Sequence, residues 1–492
     1  MEKSIAIIGS GFASLAAASY LAQSGNKVTV FEKNDTVGGR ARQLKRDGFT
    51  FDIGPTWYWM PDVFERFFAD FNKTPEDFYE LIKLNPAYSV CFGPMDFITI
   101  EDSLEKICQT FEKEEAGSAA KLQKFMVKAK SNYDIAIKDL VYRPGVSPLE
   151  LVTPVTIKKI GQFFSTISKD VRAEFKNPRL ISILEFPVLF LGAKPSNTPA
   201  FYSFMNYADF GIGTFHPKDG MYSVIKGMKS LAESLGVTIK TGQNVEQITV
   251  TDGRATGLVA NGEAHQADIV LSGADYHHSE SLLPKKYRQY SENYWEKKTF
   301  APSALLFYVG FDKPIDNVDH HTLFFDVDFE AHAHDIYDNP AWPDEPLFYA
   351  SFPSKTDQSV APAGKEAAIF LIPLAPGLED TPEMREKYFN IILTRLENLT
   401  QQEVKKSVIF KESYCVNDFI KDYNSYKGNA YGMANTLLQT AFLRPKLRSK
   451  KVKDLYFTGQ LTVPGPGVPP SLISGKLVAS LIEKENLVLA TE

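Results

Sequence analysis

The start of the chain has a pattern of apolar and polar positions that predicts two strands joined by a helix. Ser4–Ile8 is a short apolar run of the kind found in buried parallel strands. Residues 13–23, rich in Ala and Leu, form a helical stretch that Gly25 ends, and Lys27–Phe31 is a second strand. Because parallel strands need a crossover connection, the pattern predicts a βαβ unit.

The turn between the first strand and the helix has the chemistry of a dinucleotide-binding loop. Gly9 permits a tight turn, and Gly11 lets the backbone approach a pyrophosphate at the helix N-terminus. Glu32 ends the second strand, where a carboxylate accepts hydrogen bonds from a ribose 2′-hydroxyl and disfavours the 2′-phosphate of NADP. Ser14 replaces the third glycine of the fingerprint, and we expect it to hold the helix slightly further from the strand. The unit predicts one bound dinucleotide.

A second glycine-rich segment follows the βαβ unit directly. Residues 37–42 read VGGRAR, and residues 51–56 read FDIGPT. Two adjacent glycines allow another close approach of the backbone to a ligand, and Arg40 can pair with a phosphate. By itself the segment fits a glycine-rich hairpin with a solvated arginine equally well.

The far end of the chain contains a rigid loop between a strand and a helix. Residues 455–459 read as a strand that runs into Gly459, and residues 460–470 are too rich in Pro and Gly for regular structure. Small and apolar residues then recur at helical spacing over 471–482. Alone, the loop also fits a merely structural turn. Paired with the dinucleotide loop, it suits the ribityl chain and ring of a flavin and indicates FAD.

The middle of the chain contains further strand and helix patterns. Alternating positions at 238–241, 245–250, 255–259 and 268–271 predict strands that extend the nucleotide-binding sheet. Residues 100–180 read as mostly helical. The helical patterns alone indicate no particular chemistry.

One helical stretch has an apolar face interrupted by lysines. Its apolar residues recur at three- and four-residue spacing: Ile157, Ile160, Phe164, Ile167, Val171 and Phe175. The lysines between them are Lys158, Lys159 and Lys169. The pattern favours a helix packed on its own core, but it also fits a helix that lies on a membrane surface.

Composition and charge exclude several classes of function. A net charge of −6 provides no positive field to attract nucleic acid. No run of 18 or more apolar residues is present, so no transmembrane helix is predicted. Cys91, Cys108 and Cys415 form no CxxC pair, so we expect no disulfide framework and no metal site, and a reducing cytoplasm fits best. The motifs HExxH, GxSxG and the P-loop are absent, which removes support for zinc proteolysis, serine hydrolysis and NTP hydrolysis.

Taken together, these segments resemble the carotenoid desaturase family of the bacterial phytoene-desaturase type. The resemblance rests on the two chain ends and on residues 215–221, 267–275, 353–362 and 428–445, so it runs nearly end to end. The opening motifs are shared with amine oxidases and other flavoproteins, whereas the C-terminal loop is more specific. The resemblance implies an α/β fold with a Rossmann-like FAD-binding domain of the glutathione-reductase and amine-oxidase type. A substrate domain with a mixed sheet and helices would complete it.

The resemblance also implies a division of the chain and a set of cofactor-binding residues. The FAD-binding domain is expected to be discontinuous and to comprise 1–75, 215–285 and 440–492. The substrate and membrane-associating domain would comprise 76–214 and 286–439. The residues implied to bind FAD are Gly9, Gly11, Phe12, Ala13, Glu32, Lys33, Gly39, Arg40, Gly54, Pro55, Thr56, Val245, Gly459, Gly467 and Val468. The C-terminal flavin segment has no cysteine, so non-covalent binding is expected.

The implied reaction is the desaturation of a carotenoid. A flavin accepts a hydride from one saturated carbon while the neighbouring carbon loses a proton. The substrate is open between a phytoene-type carotene and a hydroxylated carotene, with overall resemblance leaning towards hydroxycarotenoid 3,4-desaturation. Because only one dinucleotide fingerprint is present, oxygen or a quinone is expected to reoxidise the flavin. The lipophilic substrate implies peripheral association with the inner face of the membrane.

Three other functions stay open at this point. A carotenoid cis–trans isomerase would use the same fold and a reduced flavin without net oxidation. A flavin amine oxidase would need an aromatic cage, for which the segment at 57–59, Trp-Tyr-Trp, is the one candidate cluster. A carotenoid carrier with an idle flavin fold is disfavoured by the intact motifs at both chain ends.

No catalytic base can be named from the sequence. Of the eight histidines, His216, His277 and His278 lie in no pattern that indicates catalysis, so we interpret them as surface or structural residues. The candidates by loose analogy with the family are Asp134, Asp139 and Arg143.

Overall fold

The computed structural model of the chain describes residues 2–151, 153–154, 156 and 159–491. Its strands are β1 (Ser4–Ile8), β2 (Lys27–Phe31), β3 (Gln43–Arg46), β4 (Phe49–Asp52), β5 (Leu81–Lys83), β6 (Tyr88–Gly93), β7 (Asp96–Ile100), β8 (Phe215–Pro217), β9 (Thr238–Lys240), β10 (Val245–Thr251), β11 (Arg254–Ala260), β12 (Glu263–Gln266), β13 (Ile269–Ser272), β14 (Ser303–Phe311), β15 (His321–Phe324), β16 (Phe348–Ser351), β17 (Glu366–Leu374), β18 (Val408–Tyr414) and β19 (Leu455–Phe457). Its α-helices are α1 (Phe12–Gln23), α2 (Pro61–Ala69), α3 (Leu104–Glu114), α4 (Ser118–Lys138), α5 (Ile160–Phe164), α6 (Ile167–Glu174), α7 (Pro178–Glu185), α8 (Phe204–Asn206), α9 (Tyr222–Ser234), α10 (Tyr276–Ser281), α11 (Glu292–Glu296), α12 (Phe329–Tyr337), α13 (Pro382–Thr400), α14 (Val416–Tyr423) and α15 (Val468–Thr491).

A five-stranded parallel sheet contains the predicted βαβ unit. Its strand order is β19-β13-β1-β2-β9. Ile5 of β1 pairs with Val28 of β2 on one side and with Ile269 of β13 on the other. The strands are apolar runs because both faces of a parallel sheet are covered. The prediction of the βαβ unit is confirmed.

Two helices from opposite ends of the chain pack against each other beside this sheet. α1 is almost entirely buried, and α15 contacts it at Gly475. A β-carbon at Gly475 would overlap the carbonyl oxygen of Ala13 and crowd the side chain of Ala16. Small residues on both helices therefore allow a close approach. This contact brings the C-terminal loop next to the dinucleotide loop.

The predicted strands of the middle region divide between two sheets. β9 and β13 join the parallel sheet as predicted, but β10, β11 and β12 form a separate antiparallel sheet. Asp252 and Asn261 lie in the two connecting turns and have positive φ. Short hairpin turns pair consecutive strands in antiparallel fashion, so these strands cannot extend the parallel sheet. The expectation that all of them would do so is wrong.

A seven-stranded mixed sheet forms the second large layer. Its order is β18-β14-β17-β16-β15-β6-β7, with β15 and β6 parallel and the other neighbours antiparallel. β14 is buried along its whole length. The core on one face of this sheet includes Phe307, Phe324, Phe348 and Phe370. The high aromatic content of the chain is therefore partly explained by this core.

The helical region is present as predicted, but the stretch 157–175 is not one continuous helix. α5 ends at Phe164, and α6 begins after Thr166, whose side chain accepts a hydrogen bond from an N–H group of the first turn. An N-cap residue has extended backbone and so interrupts the helical path. The predicted positions Ile157 and Lys158 lie outside the described residues.

The interruption gives the two parts of this stretch different surroundings. Ile167, Val171 and Phe175 are buried, as a core-facing helix requires. Phe164 is 76% exposed. Core packing is therefore confirmed for α6, and it is wrong for Phe164 at the end of α5.

Candidate functional site

One large cavity joins the glycine-rich loops of the parallel sheet to the aromatic residues beyond them. Its volume is about 930 Å³, near the upper end of the range for small-molecule sites. Glycines and polar residues of the predicted nucleotide loops line one end. Phenylalanine, leucine and other large apolar side chains line the other. We call these the polar end and the apolar end.

At the polar end, the dinucleotide loop exposes backbone to the cavity because its glycines have no side chains. We call this surface the cradle. Gly9 has a φ of +86°, in the region that favours glycine. Gly11 faces Gly39, because a β-carbon at Gly39 would lie only 3.1 Å from the Gly11 Cα. Gly11 also caps α1 without a side-chain hydrogen bond. Since the first N–H groups of a helix have no intrahelical partners, this cradle fits a pyrophosphate.

Ser14, at the third position of the fingerprint, packs closely against the neighbouring strand. A β-carbon at Gly273 would overlap the Ser14 hydroxyl. Ser14 is also fully buried. The glycine that permits close packing thus follows β13 instead of lying on α1. The close contact between helix and sheet is retained despite the serine.

Glu32 lies at the end of the second strand, buried in the cavity wall. One carboxylate oxygen accepts hydrogen bonds from the Ser10 N–H at 2.8 Å and the Ser10 hydroxyl at 2.6 Å. The other accepts from the Asn34 N–H at 2.9 Å and the Asn34 side-chain amide at 3.0 Å. Four donors engage the lone pairs of a carboxylate. A ribose hydroxyl would therefore bind by displacing one of the two side-chain donors.

Arg40 lies where the two glycine-rich segments meet the cavity. Its guanidinium donates to Ser425 Oγ at 3.1 Å and to the Asn429 carbonyl at 3.3 Å. With its side-chain oxygen facing Arg40, Gln460 accepts two more hydrogen bonds at 3.1 and 3.2 Å. These acceptors are all neutral, although the charge of the buried Asp275 acts on Arg40 as well. Nε of Arg40 has no hydrogen-bond partner within the described residues and stays available for a phosphate. The glutamine at 460, where many flavoproteins have an acid, contributes to this availability.

Gly54 holds the FDIGPT segment against the segment that carries Arg40. A β-carbon at Gly54 would overlap the carbonyl oxygen of Arg40. Pro55 and Thr56 then continue along the cavity wall. The positions of the two segments therefore depend on the absence of one side chain.

Lys33 connects the polar end to the segment that covers it. Its ammonium group donates to the carbonyl of Lys421 and to Asn424 Oδ1, the latter at 3.2 Å. We call this covering segment, α14 and the residue Asn424 after it, the cover, and its Phe419 and Tyr423 line the cavity. The side chain of Lys33 therefore fixes the cover, and its own contact with a ligand stays a prediction.

The C-terminal loop encloses the polar end from the opposite side. Gly459 and Gly467 have φ of +106° and +115°, which favour glycine. The hydroxyls of Thr462 and Ser474 are 2.9 Å apart and tie the loop to α15, which begins at Val468. The two loops that the sequence pairs as a flavin site thus line the same end of one cavity.

Aromatic rings form the wall where the polar end meets the apolar end. Trp57 and Trp59 line the cavity, with ring centroids 5.3 Å apart in an edge-to-face contact. The ring of Phe186 lies 5.7 Å from that of Trp57. Tyr58 turns into the core instead, where its hydroxyl is 2.9 Å from that of Tyr79. Two of the three residues of the predicted aromatic cluster therefore face the cavity.

Known proteins match this chain along nearly its whole length. The family model for flavin containing amine oxidoreductases matches residues 12–482. A carotenoid 3,4-desaturase from Haloarcula japonica is 41% identical over 488 residues, covering 97% of this chain and 98% of the relative. A 4,4′-diapophytoene desaturase (4,4′-diaponeurosporene-forming) from Staphylococcus haemolyticus is 32% identical over 490 residues, covering 96% and 97%. The chain belongs to the carotenoid desaturase family.

Solved structures show the fold that this desaturase-family protein shares with other flavoproteins. A variant of putrescine oxidase superimposes with a TM-score of 0.63 at 14% identity, covering 99% of each chain. This likeness concerns the fold alone. It confirms the α/β fold of the amine-oxidase type with a parallel and a mixed sheet. The family model makes the protein a flavin-dependent oxidoreductase.

The residues that the sequence predicts to hold the cofactor all lie on the wall of this cavity in the desaturase-family fold. They are Gly9, Gly11, Phe12, Ala13, Glu32, Lys33, Gly39, Arg40, Gly54, Pro55, Thr56, Val245, Gly459, Gly467 and Val468. The fold therefore brings together segments from the two ends and the middle of the chain. Their contacts with FAD stay a prediction.

The acidic residues suggested by analogy with the family lie outside the cavity wall. Asp134 forms ion pairs with Lys130 at 2.9 Å and Lys138 at 3.0 Å on the outer face of α4. Asp139 pairs with Arg143. Of the three candidates, only Arg143 lines the cavity. The geometry gives neither carboxylate access to a bound substrate.

The three histidines considered from the sequence have different surroundings. His277 is 2.8 Å from a carboxylate oxygen of Glu292. His278 lines the polar end, where burial and the charge of Lys33 lower its pKa to about 4. His216 is buried, with Nε2 at 3.9 Å from Asp357.

Tyr349 and His321 form a polar contact at the cavity that the sequence patterns did not indicate. Tyr349 lines the cavity, and its Oη is 2.8 Å from Thr56 Oγ1 and 2.6 Å from His321 Nδ1. Nearly three hundred residues separate Thr56 from its partner along the chain. The one available signal was the pair His320-His321 at the start of an apolar run, which is unusual for a buried strand.

Proposed function

We propose that the protein is an FAD-dependent carotenoid desaturase that introduces C=C bonds into a long polyene during carotenoid biosynthesis. The continuity of one cavity from the glycine-rich cradle to the aromatic end carries this proposal. It would place a rod-like apolar substrate end-on to a dinucleotide. The names of both relatives, a carotenoid 3,4-desaturase and a 4,4′-diapophytoene desaturase, support a carotenoid substrate. The higher identity to the 3,4-desaturase favours a hydroxylated carotene over a phytoene-type substrate.

The polar end supplies the groups that a non-covalently bound FAD needs. Gly9 and Gly11 would receive the pyrophosphate at the N-terminus of α1, and Arg40 would pair with a phosphate oxygen. Glu32 would hold the ribose after displacing a side-chain donor. Gly459 and the loop after it would hold the ribityl chain and ring. When bound, FAD supplies the hydride acceptor for the reaction.

The apolar end would position the substrate and exclude water. Aromatic walls such as Trp57, Trp59 and Phe186 favour a polyene because they offer large apolar surfaces. Holding the reacting carbons in one place lowers the entropic cost of the reaction, and a dry site prevents side reactions. We assign Phe186 and Tyr349 of this end to the substrate domain, 76–214 and 286–439. Trp57 and Trp59 come from the FAD-binding segments, 1–75, 215–285 and 440–492, which also supply most of the polar end.

We further propose that the mouth of the cavity contacts the cytoplasmic membrane surface, from which the carotenoid would enter. Phe164 and Leu443 line the cavity and are exposed. Leu438, close to Leu443 in the sequence, is exposed too. Val146 and Leu149 are exposed in the loop that follows Gly145, and Gly145 packs against Ala441. Exposed apolar groups of this kind mark interaction surfaces. Among the described residues, every helix is too short or too polar to cross a bilayer. Oxygen or a quinone would reoxidise the flavin, since the sequence has one dinucleotide fingerprint.

An anaerobic reduction experiment tests the proposed function. The protein with bound FAD is mixed with phytoene or a hydroxylated carotene in liposomes, and flavin absorbance and polyene spectra are followed. Bleaching of the flavin with a product that absorbs at longer wavelength is expected, faster with the hydroxylated carotene. An isomerised product without bleaching would establish the isomerase instead. Bleaching with putrescine and with neither carotenoid would overturn the proposal.

A further inference from the structure

A chain of hydrogen bonds leads from the cavity wall to a buried histidine. Thr56 Oγ1 is 2.8 Å from Tyr349 Oη, which is 2.6 Å from His321 Nδ1. Thr56 and Tyr349 line the cavity, whereas His321 is fully buried behind them. A cavity-facing hydroxyl is therefore linked to a proton acceptor that the ligand cannot touch.

His321 belongs to a buried cluster with more hydrogen-bonding capacity than partners. Its ring centroid is 4.4 Å from that of His320, which is 4.6 Å from that of His216. Within the described part of the chain, Nε2 of His320 and Nε2 of His321 have no hydrogen-bond partner. Nε2 of His216 has Asp357 at 3.9 Å, beyond hydrogen-bond distance. Buried polar atoms are usually paired, so unpaired ones call for an explanation, and a catalytic role is one of them.

A metal ion does not explain this cluster. The described residues contain no group of three or more His, Cys, Asp or Glu side chains placed to hold a metal. The rings of His320 and His321 meet at 68°, and those of His216 and His320 at 58°. The geometry of the three rings therefore gives no reason to assign a metal ion to this cluster.

The surroundings of His321 keep it neutral at rest and offer one contact that stabilises a transferred proton. Burial and the neighbouring His216 hold the pKa of His321 well below its ordinary range, so the imidazole is neutral. Trp57 stacks on His321 with centroids 4.1 Å apart and planes inclined by 12°. The face of an indole ring stabilises a nearby cation. The titratable groups that face the cluster are Asp52, His216, His320, Tyr349 and Asp357, and Asp319 precedes His320 in the chain.

We propose that Tyr349 is the catalytic residue that receives the substrate proton, and that His321 is the positioning residue that takes up the proton of Tyr349. This inference rests on the proposed desaturase function. One substrate C–H bond breaks with its electron pair, which leaves as hydride to the flavin. The neighbouring C–H bond breaks and its proton joins Tyr349 Oη, while the hydroxyl proton of Tyr349 passes to His321 Nδ1. The electron pair of the second bond becomes the new π bond.

The relay explains how a neutral phenol can act as a base in an apolar cavity. Burial raises the pKa of Tyr349, so the hydroxyl stays protonated and donates along the 2.6 Å contact. Because its proton leaves as another arrives, no phenolate charge has to be stabilised among aromatic walls. Thr56 Oγ1 forms a hydrogen bond with the same oxygen at 2.8 Å and helps to hold it at the cavity wall.

The first test measures the resting proton position and needs no turnover. The protein with bound FAD is labelled with ¹⁵N-histidine, and His321→Gln identifies the His321 signals by their loss. We expect Nδ1 of His321 to be unprotonated and hydrogen-bonded, and Tyr349→Phe to shift its resonance. A proton on Nδ1 in the wild-type protein would overturn the relay, because His321 could then accept nothing from Tyr349.

The second test measures flavin reduction by the carotenoid in one turnover. Tyr349→Phe and His321→Gln should each slow bleaching by roughly 10²- to 10⁴-fold at unchanged flavin occupancy, as loss of general-base catalysis does. The double variant should be no slower than the slower single variant, since both act in one step. The matched control is Tyr79→Phe, which removes a buried hydroxyl paired with Tyr58 outside the cavity and should leave the rate unchanged. Wild-type bleaching together with rapid bleaching by Tyr349→Phe would overturn the relay and leave the proposed function intact.

The wild-type protein alone provides a third measurement. The hydroxyl proton of Tyr349 exchanges with solvent, so its transfer to His321 should slow bleaching in D₂O, and Tyr349→Phe should abolish most of this solvent effect. A wild-type rate equal in H₂O and D₂O would contradict the relay. Failure of the wild-type protein to bleach with any carotenoid would instead contradict the proposed function, while the histidine measurement would still decide the proton position.

Discussion

The polar and apolar ends of the cavity are constructed in opposite ways. At the polar end, most of the lining residues come from two compact segments. One is 8–40, which spans the βαβ unit and the glycine-rich segment after it, and the other is 458–468, the loop between β19 and α15. At the apolar end, neighbours in space such as Trp57, Phe186 and Tyr349 come from distant parts of the chain. A nucleotide site can thus be formed by residues that are close together in the sequence. A pocket for an apolar rod forms only when distant parts of the chain have folded together.

The two ends would also hold their ligands through different kinds of interaction. At the polar end, the important feature is the absence of side chains at Gly9, Gly11 and Gly39. These glycines expose backbone N–H groups and leave room for a ligand. The apolar end works through large side chains whose many weak contacts add up. We therefore expect one added methyl group to be decisive at the polar end. At the apolar end, the sensitive positions should be the few buried polar groups.

The largest effect is expected from Gly54→Ala. The new β-carbon would overlap the carbonyl oxygen of Arg40, so the segment that carries Arg40 has to move. We expect FAD affinity to fall by roughly 100-fold or more, which corresponds to about 2.7 kcal/mol. Flavin absorbance per protein after gel filtration, followed by titration with FAD, measures this loss.

A matched glycine controls for the substitution itself. A β-carbon at Gly161 of α5 would meet no heavy atom within 4 Å. Gly161→Ala should therefore keep its flavin. Full flavin occupancy in Gly54→Ala would show that the polar end tolerates added volume, and the contrast between the two ends would be lost.

This contrast also explains what the sequence could predict. The βαβ unit, the cradle glycines and the C-terminal loop are local patterns, and the structure places all of them as the patterns indicate. The antiparallel sheet of β10, β11 and β12 was missed because periodicity shows that a strand exists but not its partner. The break at Thr166 was missed because apolar spacing continued through the cap.

The polar groups of the apolar end could not be predicted for a different reason. Thr56, which follows β4, meets Tyr349 of β16 only because β4 packs against β17, the neighbour of β16 in the mixed sheet. His321 looks like any other histidine until its burial is known. Pairs of this kind depend on tertiary contacts between residues hundreds of positions apart, and no spacing rule describes them.

A buried carboxyl behind the aromatic wall of the apolar end gives a prediction of intermediate size, for the pH dependence of stability. Asp209 lies in the π-helical turn Tyr207–Ile212, and one of its oxygens accepts a hydrogen bond from Tyr88 at 2.8 Å. The ring of Tyr88 is 5.4 Å from that of Trp57 in the cavity wall. Burial raises the pKa of Asp209 from 3.8 to about 8. The carboxyl is therefore protonated in the folded protein at neutral pH.

Asp209→Asn should change how stability depends on pH. Because the folded pKa lies above the unfolded one, the stabilising contribution of the group is complete below about pH 4 and is lost as the pH rises towards 8. This contribution has a slope of roughly 1.4 kcal/mol per pH unit, and Asp209→Asn should remove it. Urea unfolding at several pH values measures the difference from wild type. Asp139→Asn, at an exposed ion pair, should keep the wild-type slope, and an equal slope in Asp209→Asn would mean that the buried carboxyl is ionised.

The smallest effect concerns the mouth of the apolar end. Phe164 and Leu149 are 76% and 75% exposed, and burial of such a side chain in an apolar phase is worth about 1.5–3 kcal/mol. Phe164→Ser and Leu149→Ser should each weaken binding to anionic liposomes by roughly tenfold, because each removes one inserted group, without changing flavin occupancy. Ile409→Ser removes an apolar side chain of 48% exposure on β18, away from the cavity wall, and should leave binding unchanged. Equal weakening by all three substitutions would mean that general surface hydrophobicity, and not the cavity mouth, attaches the protein to lipid. The apolar end would then receive its substrate by another route.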